Sequence, residues 1–424
     1  MTDAAWSPAE ATRFLIEREL FGMRFELGRI KSLLSELGDP HKTLTVVHVV
    51  GTNGKTSVTT FATSLMAGLG LRAGGYVSPH LTGFHERVLL PDRSGLRIST
   101  PGEFAGAVQR VAAAAGVVEA AMPDGEVVTQ FELVTAAALL LLSDFGVTHA
   151  AIEAGLGGRW DATNIFETPK VVVLSSIGID HVKWLGADEL SILKEKLAVL
   201  GSGDSLIAPR GLPMALSEAA EAIAADAAAT VLWTDPPEVA WPLSARGGFQ
   251  QRNFALALAA VTELVGEVDE GVIAASCACL IPGRLQQVNT GPITFVDSAH
   301  NPQGAAALAD AVGLLAGGAG ATFVVGLLED KDAAAFVAAI LPQVKNLVVT
   351  QPLNPRALDA QRLGEVALTA GLLPDQIRVV SSPAEALDCG RTLAGPTGLV
   401  VAAGSVHLAG DLLSAPGERV VTSL

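Results

Sequence analysis

The chain has 424 residues, of which 50% are hydrophobic and 17% are charged, a composition too apolar for a disordered protein. Its length predicts two or three domains, each able to bury a core. The formal net charge of −16 argues against nucleic acid or an anionic membrane as a partner, because both require a basic face. A small phosphorylated ligand is still compatible with this negative charge, since a few backbone amides and one lysine can hold it.

The cysteines and the apolar segments favour a protein of the reducing cytoplasm. Cys277, Cys279 and Cys389 form neither an even disulfide set nor a metal-type pair. The start of the sequence shows no basic segment followed by an apolar one, so no signal peptide is expected. The uncharged stretch Ala311–Leu328 contains five glycines. It is therefore interpreted as a helix end, a loop and a buried strand rather than a membrane span.

Short β-branched runs recur along the chain, each followed by small or polar residues and then by an Ala/Leu-rich helical stretch. Apolar strands that alternate with helices indicate parallel sheets covered on both faces, so we expect an α/β fold. The runs are Thr45–Val50, Thr148–Glu153, Lys170–Ser175, Ser205–Ala208, Ile293–Val296, Thr322–Gly326, Asn346–Thr350, Ile377–Val380 and Gly398–Ala402.

A domain boundary is predicted at Ile281-Pro282-Gly283. This tripeptide follows two helical stretches, Asn253–Leu264 and Val272–Leu280, and precedes a new series of β/α units. The predicted domains are therefore residues 1–281 and 282–424. In such open sheets, ligands bind at the carboxyl ends of the strands. The polar residues just after each strand are the first candidates for a site.

The first such segment is glycine-rich and precedes a helical stretch. Its backbone N–H groups would hold phosphate at the helix N-terminus, with Lys55 on the outer phosphates and Thr56 on Mg²⁺. Val49 stands where the general phosphate loop has glycine, so this is a shortened form, and an ordinary strand–helix turn is the alternative. The segment reads Gly51, Thr52, Asn53, Gly54, Lys55, Thr56, Ser57.

Glu153 is the last residue of one strand of this series, and His181 comes just after the next strand along the chain. A carboxylate at the end of an apolar strand is costly unless it meets a cation or hydrogen-bond donors. The pair is therefore a candidate Mg²⁺ site, although His is an unusual Mg²⁺ ligand. A helix-capping or Arg-paired carboxylate and a hydrogen-bonded loop histidine are the structural alternatives.

Six sequence motifs occur together and in the order of a known protein family. They are GTNGKTS, YVSPHL with HERV, EAGLGGRWDATN, SIGIDHVKWLG with KEKLAVL, PGRLQ, and DSAHNPQGAAAL. Together they resemble the folylpolyglutamate synthase/dihydrofolate synthase family of the Mur ligase superfamily, over about Leu37 to Gly410. The resemblance implies a P-loop-type, mostly parallel sheet domain followed by a smaller Rossmann-like α/β domain. It also implies an ATP-dependent ligase that adds L-glutamate, with ATP between the domains.

The resemblance implies two metal positions. One Mg²⁺ would lie on Ser78 and Glu153. A second would be held by Glu153, His181 and Lys196, the lysine being carbamylated, since a carbamate supplies the oxygen ligands that a hard cation prefers. Lys194 is a neighbour that could be confused with Lys196. Without the resemblance, both lysines would be interpreted as a solvated helix face.

The resemblance also implies the substrate contacts. Independently of the resemblance, an acid that follows an apolar strand, as Asp297 does, is typical of ribose binding. For Phe131, a place in the hydrophobic core is an equal alternative to a ligand contact. Implied are Arg284 on the ATP phosphates, Asp297 on the nucleotide, Asn253 on the adenine, His300 and Ser405 on glutamate, and Thr129, Phe131 and Asp161 on a pterin. Two departures from the family pattern are Thr56, where many members have Gly, and Ser298 in DSAHNP.

The implied chemistry joins a carboxylate to an amine through an acyl phosphate. The acceptor would be dihydropteroate or a reduced folate, and one protein could perform one or both additions. A cell-wall Mur ligase is an alternative, but only about 50 residues precede Gly51, fewer than the extra N-terminal domain of those enzymes needs. An ATP-hydrolysing switch is the other alternative. The family implies a monomer.

Overall fold

The computed structural model describes residues 5–18, 26–93, 95–123, 126–167 and 169–414, which form two α/β units. The helices are α1 (Pro8–Glu17), α2 (Gly28–Glu36), α3 (Lys55–Gly68), α4 (Pro101–Ala120), α5 (Gln130–Asp144), α6 (Val182–Leu185), α7 (Glu189–Leu197), α8 (Met214–Asp226), α9 (Phe249–Val265), α10 (Glu270–Ser276), α11 (Pro302–Leu315), α12 (Ala333–Ile340), α13 (Ala360–Thr369), α14 (Pro383–Ala394) and α15 (Val406–Leu413).

The strands divide into two sheets. The eight-stranded sheet is formed by β1 (Thr45–Val50), β2 (Ala73–Tyr76), β3 (Val88–Asp92), β4 (Gly95–Ile98), β5 (His149–Glu153), β6 (Val171–Leu174), β7 (Ser205–Pro209) and β8 (Thr230–Thr234). The six-stranded sheet is formed by β9 (Gln286–Thr290), β10 (Ile293–Val296), β11 (Ala321–Val325), β12 (Val344–Val349), β13 (Ile377–Val379) and β14 (Leu399–Ala403).

The larger sheet has the strand order β4-β3-β2-β5-β1-β6-β7-β8. The strand β3 runs antiparallel to both of its neighbours, β2 and β4, and the other strand pairs of this sheet are parallel. The central strand β1 pairs with both β5 and β6, and this registers Val49 against Glu153. The loops that follow β1, β5 and β6 therefore meet at one edge of the sheet.

The smaller sheet has the order β13-β12-β11-β14-β10-β9, and β9 alone is antiparallel to its neighbour. The carboxyl ends of β10, β11 and β14 lie side by side, because β14 pairs with both β10 and β11. This sheet therefore also gathers several loops at one edge.

Packing explains why the predicted apolar runs form the sheets. From Val46 to Val50 every residue of β1 is buried, as the fully covered parallel strand requires. On one face α3 packs on α9, where the rings of Phe61 and Phe254 meet edge to face at 5.1 Å. No helix among the described residues is both long and apolar enough to cross a membrane.

The predicted α/β fold is confirmed, and all nine predicted runs form strands. The stretch Ala311–Leu328 contains the end of α11, a turn and β11, as expected. The prediction of a helix to Leu280 is wrong by one turn, because α10 ends at Ser276. The strands absent from the sequence prediction are β2, β3, β4, β8 and β9. Of these, β2 and β4 contain glycine, β9 is mostly polar and β3 contains a proline, whereas β8 has an apolar centre that the sequence analysis missed.

Candidate nucleotide and metal site

The glycine-rich segment after β1 has a backbone that only glycine adopts without strain. Gly51 has φ +147° and Gly54, which precedes α3, has φ +85°. A Cβ on Gly51 would lie 2.0 Å from Oγ of Ser175, and one on Gly54 would lie 2.6 Å from Oδ1 of Asn253. The chain therefore turns tightly into α3, and the N-terminal amides of a 14-residue helix open at this point.

Hydrogen bonds fix the predicted phosphate loop, residues 51–57, to the segment after β6. The N–H of Thr52 donates to the carbonyl of Ser176 at 2.9 Å, and its hydroxyl donates to the carbonyl of Gly178 at 3.0 Å. Ser57 is buried. The ammonium of Lys55 donates to the carbonyls of Gly51 and Thr52 at 3.2 and 3.3 Å, so it lies back over its own loop.

Glu153, the last residue of β5, lies beneath the loop with 1% of its surface exposed. Its Oε1 accepts from the hydroxyl of Thr56 at 3.2 Å, and its Oε2 accepts from the N–H of Ser78 at 3.0 Å. Burial raises the pKa of Glu153, while the charges of Lys55 and Arg284 act in the opposite direction. The structure thus brings together Thr56, Ser78 and Glu153, three of the predicted metal ligands.

Lys196 is buried, and the structure separates it clearly from its neighbour Lys194. Lys196 is 4% exposed and donates to the carbonyl of Gly51 at 2.8 Å, whereas Lys194 is exposed. The alternative of a solvated face is therefore wrong for Lys196. Burial, followed by the charge of Lys55, lowers the pKa of Lys196 to about 7.

His181 lies at the left-handed start of α6 with φ +51° and an exposed side chain. Among the described residues it forms no hydrogen bond or ion pair with Glu153; its Nε2 lies 4.0 Å from Oδ2 of Asp180. Although 41% of its side chain is exposed, the protein on the other side of the ring partly desolvates it, which lowers the pKa of His181 against the opposing charge of Asp180. The charge of Lys55 contributes to lowering the pKa of Glu153, His181 and Lys196 alike.

Asp180 joins the two sheets, a role that the sequence analysis missed. Its carboxylate, 8% exposed, accepts from Lys331 at 2.8 Å, from Asn301 at 3.0 Å and from His300 at 3.1 Å. Burial alone would raise the pKa of Asp180, but the hydrogen bond and charge of His300, with His181 and Lys331, hold it well below its usual range. The loops after β6, β10 and β11 therefore meet on one carboxylate.

A second set of bonds links the phosphate loop to the smaller sheet. The side-chain amides of Asn53 and Asn301 exchange hydrogen bonds at 3.0 and 3.2 Å, and Asn53 also donates to Gln303 at 2.8 Å. A sequence signal for these residues existed, because Asp180, Asn301 and Lys331 all follow predicted strands. What the sequence could not show is that they meet.

Arg284 and Asp297 form the neighbouring part of the smaller unit. The carboxylate of Asp297, buried after β10, accepts from the N–H groups of Leu285 and Ala299 at 2.8 and 2.7 Å. It therefore fixes the segment that carries Arg284. Burial raises the pKa of Asp297, and the charge of Arg284 opposes that shift.

A cavity of about 950 Å³ extends from the phosphate loop between the two units. Thr56 and Arg284 line it, so it reaches the surroundings of Glu153. Its other walls come from the segment Val77–Thr82, from α10 and from the start of α15. Arg93 and Arg97 line the β3–β4 side, where Arg97 is paired with Glu103 at 2.6 Å, and Glu86 lines the cavity as well. This cavity can admit an elongated anionic molecule whose end meets the phosphate loop.

The remaining predicted substrate residues have structural partners of their own. Asn253 is buried in α9, donates to Gln250 at 2.9 Å and packs against Gly54. Ser405 caps α15 by accepting from the N–H of Leu408 at 2.9 Å. His300, half-buried, contacts the carbonyl of Ser298 through Nδ1 at 3.0 Å in addition to Asp180.

The three predicted pterin residues do not line the cavity. Thr129 caps α5 through a reciprocal pair of bonds with Glu132. Phe131 is half-buried with its ring against Gly155, where a Cβ would lie 2.4 Å from the ring. Asp161 is buried and accepts from the N–H of Leu156 at 2.8 Å. Burial raises the pKa of Asp161, and its hydrogen bonds to Thr163 and to backbone N–H groups oppose that shift.

Comparisons with known proteins agree with this geometry. A family model described as "Mur ligase, glutamate ligase domain" matches residues 283–406. The dihydrofolate synthase/folylpolyglutamate synthase of Mycobacterium tuberculosis is 33% identical over 94% of this chain and 88% of its own length.

Two solved structures are similar over nearly the whole chain. The Mycobacterium tuberculosis folylpolyglutamate synthase complexed with ADP has a TM-score of 0.88 and 29% identity, covering 96% of this chain and 97% of its own. The bifunctional folylpolyglutamate synthase/dihydrofolate synthase of Yersinia pestis complexed with AMPPNP and Mn ion has a TM-score of 0.83 and 26% identity, covering 97% and 99%. With the motifs, the two sheets and the phosphate loop in place, the chain belongs to the dihydrofolate synthase/folylpolyglutamate synthase family of Mur ligases.

Proposed function

We propose that the chain is an ATP-dependent ligase that adds L-glutamate to the carboxylate of dihydropteroate or a reduced folate. The observation that carries the proposal is the buried carboxylate of Glu153, held by Thr56 and Ser78 beneath a phosphate loop and beside a cavity that reaches Arg284. A phosphate loop alone would fit any nucleotide hydrolase. The cavity and the second sheet supply room and donors for two further substrates.

In the first step the acceptor carboxylate attacks the γ-phosphorus of ATP. An oxygen–phosphorus bond forms, the bond from that phosphorus to the ADP oxygen breaks, and an acyl phosphate and ADP result. The reaction depends on positioning and on neutralising charge. The amides at the start of α3 and the ammonium of Lys55 would hold the outer phosphates, and Arg284 would meet them from the smaller unit.

The residues present fit a hard divalent cation. A carboxylate buried in this way carries a charge that a nearby cation would stabilise, and the hydroxyls of Thr56 and Ser78 are oxygen donors of the kind that Mg²⁺ prefers. Thr56, Ser78 and Glu153 would hold one ion. When bound, Mg²⁺ neutralises negative charge on the phosphate oxygens. Asn253, packed against Gly54, and Asp297 would contact the nucleoside.

In the second step the amine of L-glutamate attacks the acyl carbon. A carbon–nitrogen bond forms, the carbon–oxygen bond to phosphate breaks, and the nitrogen loses its proton as inorganic phosphate leaves. His300 and Ser405 would position the amino acid, since both lie in loops at the carboxyl edge of the smaller sheet. Asp180 and Asn53 hold that edge against the phosphate loop, which supports an arrangement in which the amine would arrive where the acyl phosphate forms.

We also infer a second ion held by Glu153, His181 and a carbamylated Lys196. The family resemblance motivates it, and the burial of Lys196 under the loop supports it, because a carbamate would place an anionic oxygen pair near Lys55. The carbamate forms when the neutral amine adds to carbon dioxide and releases one proton. His181 would have to turn toward Glu153 for the set to close.

We infer that one chain performs both additions. Phe131 lies against the loop that follows Glu153, whereas the cavity lies on the side of Thr56 and Arg284. Two acceptor surfaces therefore approach the same carboxylate. If both are used, Phe131→Ala raises KM for dihydropteroate more than KM for tetrahydrofolate. An equal effect on both acceptors would contradict two surfaces.

The decisive experiment measures ADP release with dihydropteroate or tetrahydrofolate, each with and without glutamate. We expect release that requires both the acceptor and glutamate, and we expect Lys55→Ala and Glu153→Ala to abolish it. Full activity in either variant would reject the assignment. Release that ignores both substrates would indicate a nucleotide-dependent switch, and release with a UDP-muramyl acceptor would indicate a cell-wall Mur ligase.

We further propose that the chain divides between residues 281 and 282 into two domains and acts as a cytoplasmic monomer. The division is supported by the start of β9 at Gln286 and by the family model that begins at residue 283. The three cysteines are unpaired, as a reducing compartment favours. Limited proteolysis and sedimentation test the boundary and the monomer.

A further inference from the structure

A buried histidine outside the mechanism above lies in the middle of the larger sheet. His48, in β1, is fully buried, and its Nε2 lies 2.8 Å from Oγ1 of Thr163. Phe166 packs against the imidazole at 6.2 Å, edge to face. A polar ring in the centre of an apolar strand costs free energy unless its hydrogen bonds are used. The partner of this ring therefore indicates what the histidine does.

The hydrogen-bond directions form a chain that ends on Asp161. The hydroxyl of Thr163 lies 2.6 Å from Oδ1 of Asp161, which also accepts the N–H of Thr163 at 3.0 Å. When Asp161 is ionised its carboxylate can only accept, so the hydroxyl donates its single proton to it. The Thr163 oxygen must then accept from Nε2–H of His48. The other ring nitrogen, Nδ1, carries no proton and has no partner among the described residues, as this tautomer permits.

The chain continues from Asp161 to the loop 154–164, which follows Glu153. Oδ2 of Asp161 accepts the N–H of Leu156, and the N–H of Gly155 also lowers the pKa of this carboxyl. Gly155 is the residue against which the ring of Phe131 lies. Burial lowers the pKa of His48 to about 3, so the imidazole stays neutral and keeps this donor through the physiological range.

We propose that His48 is a positioning residue for the pteroate-binding surface, acting through Thr163 and Asp161 on the backbone of Gly155 and Leu156. The proposal rests on the proposed function for the identity of the acceptor. Without the donor from His48, the Thr163 hydroxyl can rotate away from Asp161. The carboxylate then holds the loop less firmly, and the distance between Gly155 and the Phe131 ring is no longer fixed.

Two matched pairs of variants test the proposal in the full chain. His48→Leu and Thr163→Val remove a donor and a hydroxyl, while His48→Gln and Thr163→Ser retain them. We expect the first pair to raise KM for dihydropteroate about tenfold, with KM for ATP and kcat nearly unchanged, as the loss of one buried hydrogen bond implies. The second pair should restore the wild-type KM. The double variant should be no worse than Thr163→Val alone.

Amide hydrogen exchange provides a readout that does not depend on the reaction. His48→Leu should speed exchange at Gly155 and Leu156 and leave α3 protected. An unchanged dihydropteroate KM in His48→Leu, or equal changes in the KM values for dihydropteroate and ATP, would overturn the proposal. If the wild type shows no glutamate-dependent ADP release with pteroates, the proposed function fails, while the exchange pattern still decides whether His48 holds the loop.

Discussion

Replacing Glu153 with glutamine should leave the fold intact and abolish activity. Each oxygen of Glu153 accepts one hydrogen bond, from Thr56 and from Ser78. Glutamine preserves both, since its carbonyl accepts from the Ser78 N–H and its amide donates to the Thr56 hydroxyl. Burial raises the pKa of Glu153, so the charged form is disfavoured in the folded protein and the neutral amide removes that cost. The metal-free variant should be at least as stable as the wild type.

The same substitution removes the anionic oxygen that would hold the cation. A divalent ion contributes several kcal/mol to phosphoryl transfer, and a loss of about 4 kcal/mol corresponds to roughly a thousandfold fall in turnover. Nucleotide with Mg²⁺ at a hundred times its Kd should stabilise the wild type by about 2.7 kcal/mol. The variant should gain much less. Without ligand Glu153→Gln should be at least as stable as the wild type, and with ligand the wild type should be the more stable of the two. Urea denaturation, first with EDTA and then with the ATP analogue AMPPNP and Mg²⁺, measures both.

Asp204→Asn is the matched control, because it also neutralises a buried carboxylate but lies at the opposite edge of the sheet. Asp204 pairs with Lys170 at 2.7 Å and accepts the N–H of Gly201 at 2.9 Å. Breaking such a pair costs about 3–5 kcal/mol of folding free energy. This variant should be unstable yet active at low temperature. Glu153→Gln turnover within tenfold of wild type, or a stability loss equal to that of Asp204→Asn, would refute the reasoning.

Three further outcomes are expected. Burial lowers the pKa of His48 to about 3, so only the unfolded state gains this proton as the pH falls below about 6.5. Between pH 6.5 and 5 the free energy of unfolding of the wild type should therefore drop by about 2 kcal/mol more than that of His48→Gln. Urea denaturation midpoints measure this difference. Asp180→Ala should lower glutamate-dependent turnover at least tenfold. Adding Lys331→Met should change turnover little further, because both substitutions remove the ion pair between Lys331 and Asp180. Independent effects of the two substitutions would argue against this coupling. Lys196→Arg retains the charge but cannot form a carbamate and should lose activity, while Lys194→Arg on the exposed face should retain it; an active Lys196→Arg would reject the carbamate.

The strands could be predicted because their signal is local. A buried parallel strand such as β1 needs a continuous apolar run, and its turn into a helix needs the glycines that follow. The strand β2 escaped prediction because two of its four residues, Gly74 and Gly75, have no side chain to form a pattern. Leu142 and Thr63 occupy the space that Cβ atoms there would need, and that reason is visible only in three dimensions.

The site was predictable residue by residue but not as an arrangement. Asp180 and Lys331 are 151 positions apart, and no local pattern pairs them. Lys196 is a further case. It lies on the buried face of α7 with Ile192 and Leu193, four and three residues earlier. Lys194 has Leu190 and Leu197 at the same kinds of spacing, so the local pattern does not separate the two lysines, and the burial of Lys196 is visible only in the structure.

The distribution of charge explains how a chain of net charge −16 can bind anionic substrates. Lys55 and Lys196 both donate to the carbonyl oxygen of Gly51, at 3.2 and 2.8 Å, so two cations share one neutral acceptor. Burial, and after it the repulsion from Lys55, lowers the pKa of Lys196. The bonds of Lys55 to its own loop are long, and a triphosphate could replace them at little cost. Arriving negative charge would therefore relieve a repulsion as well as form new bonds, and the acidic exterior does not set the local potential at the loop.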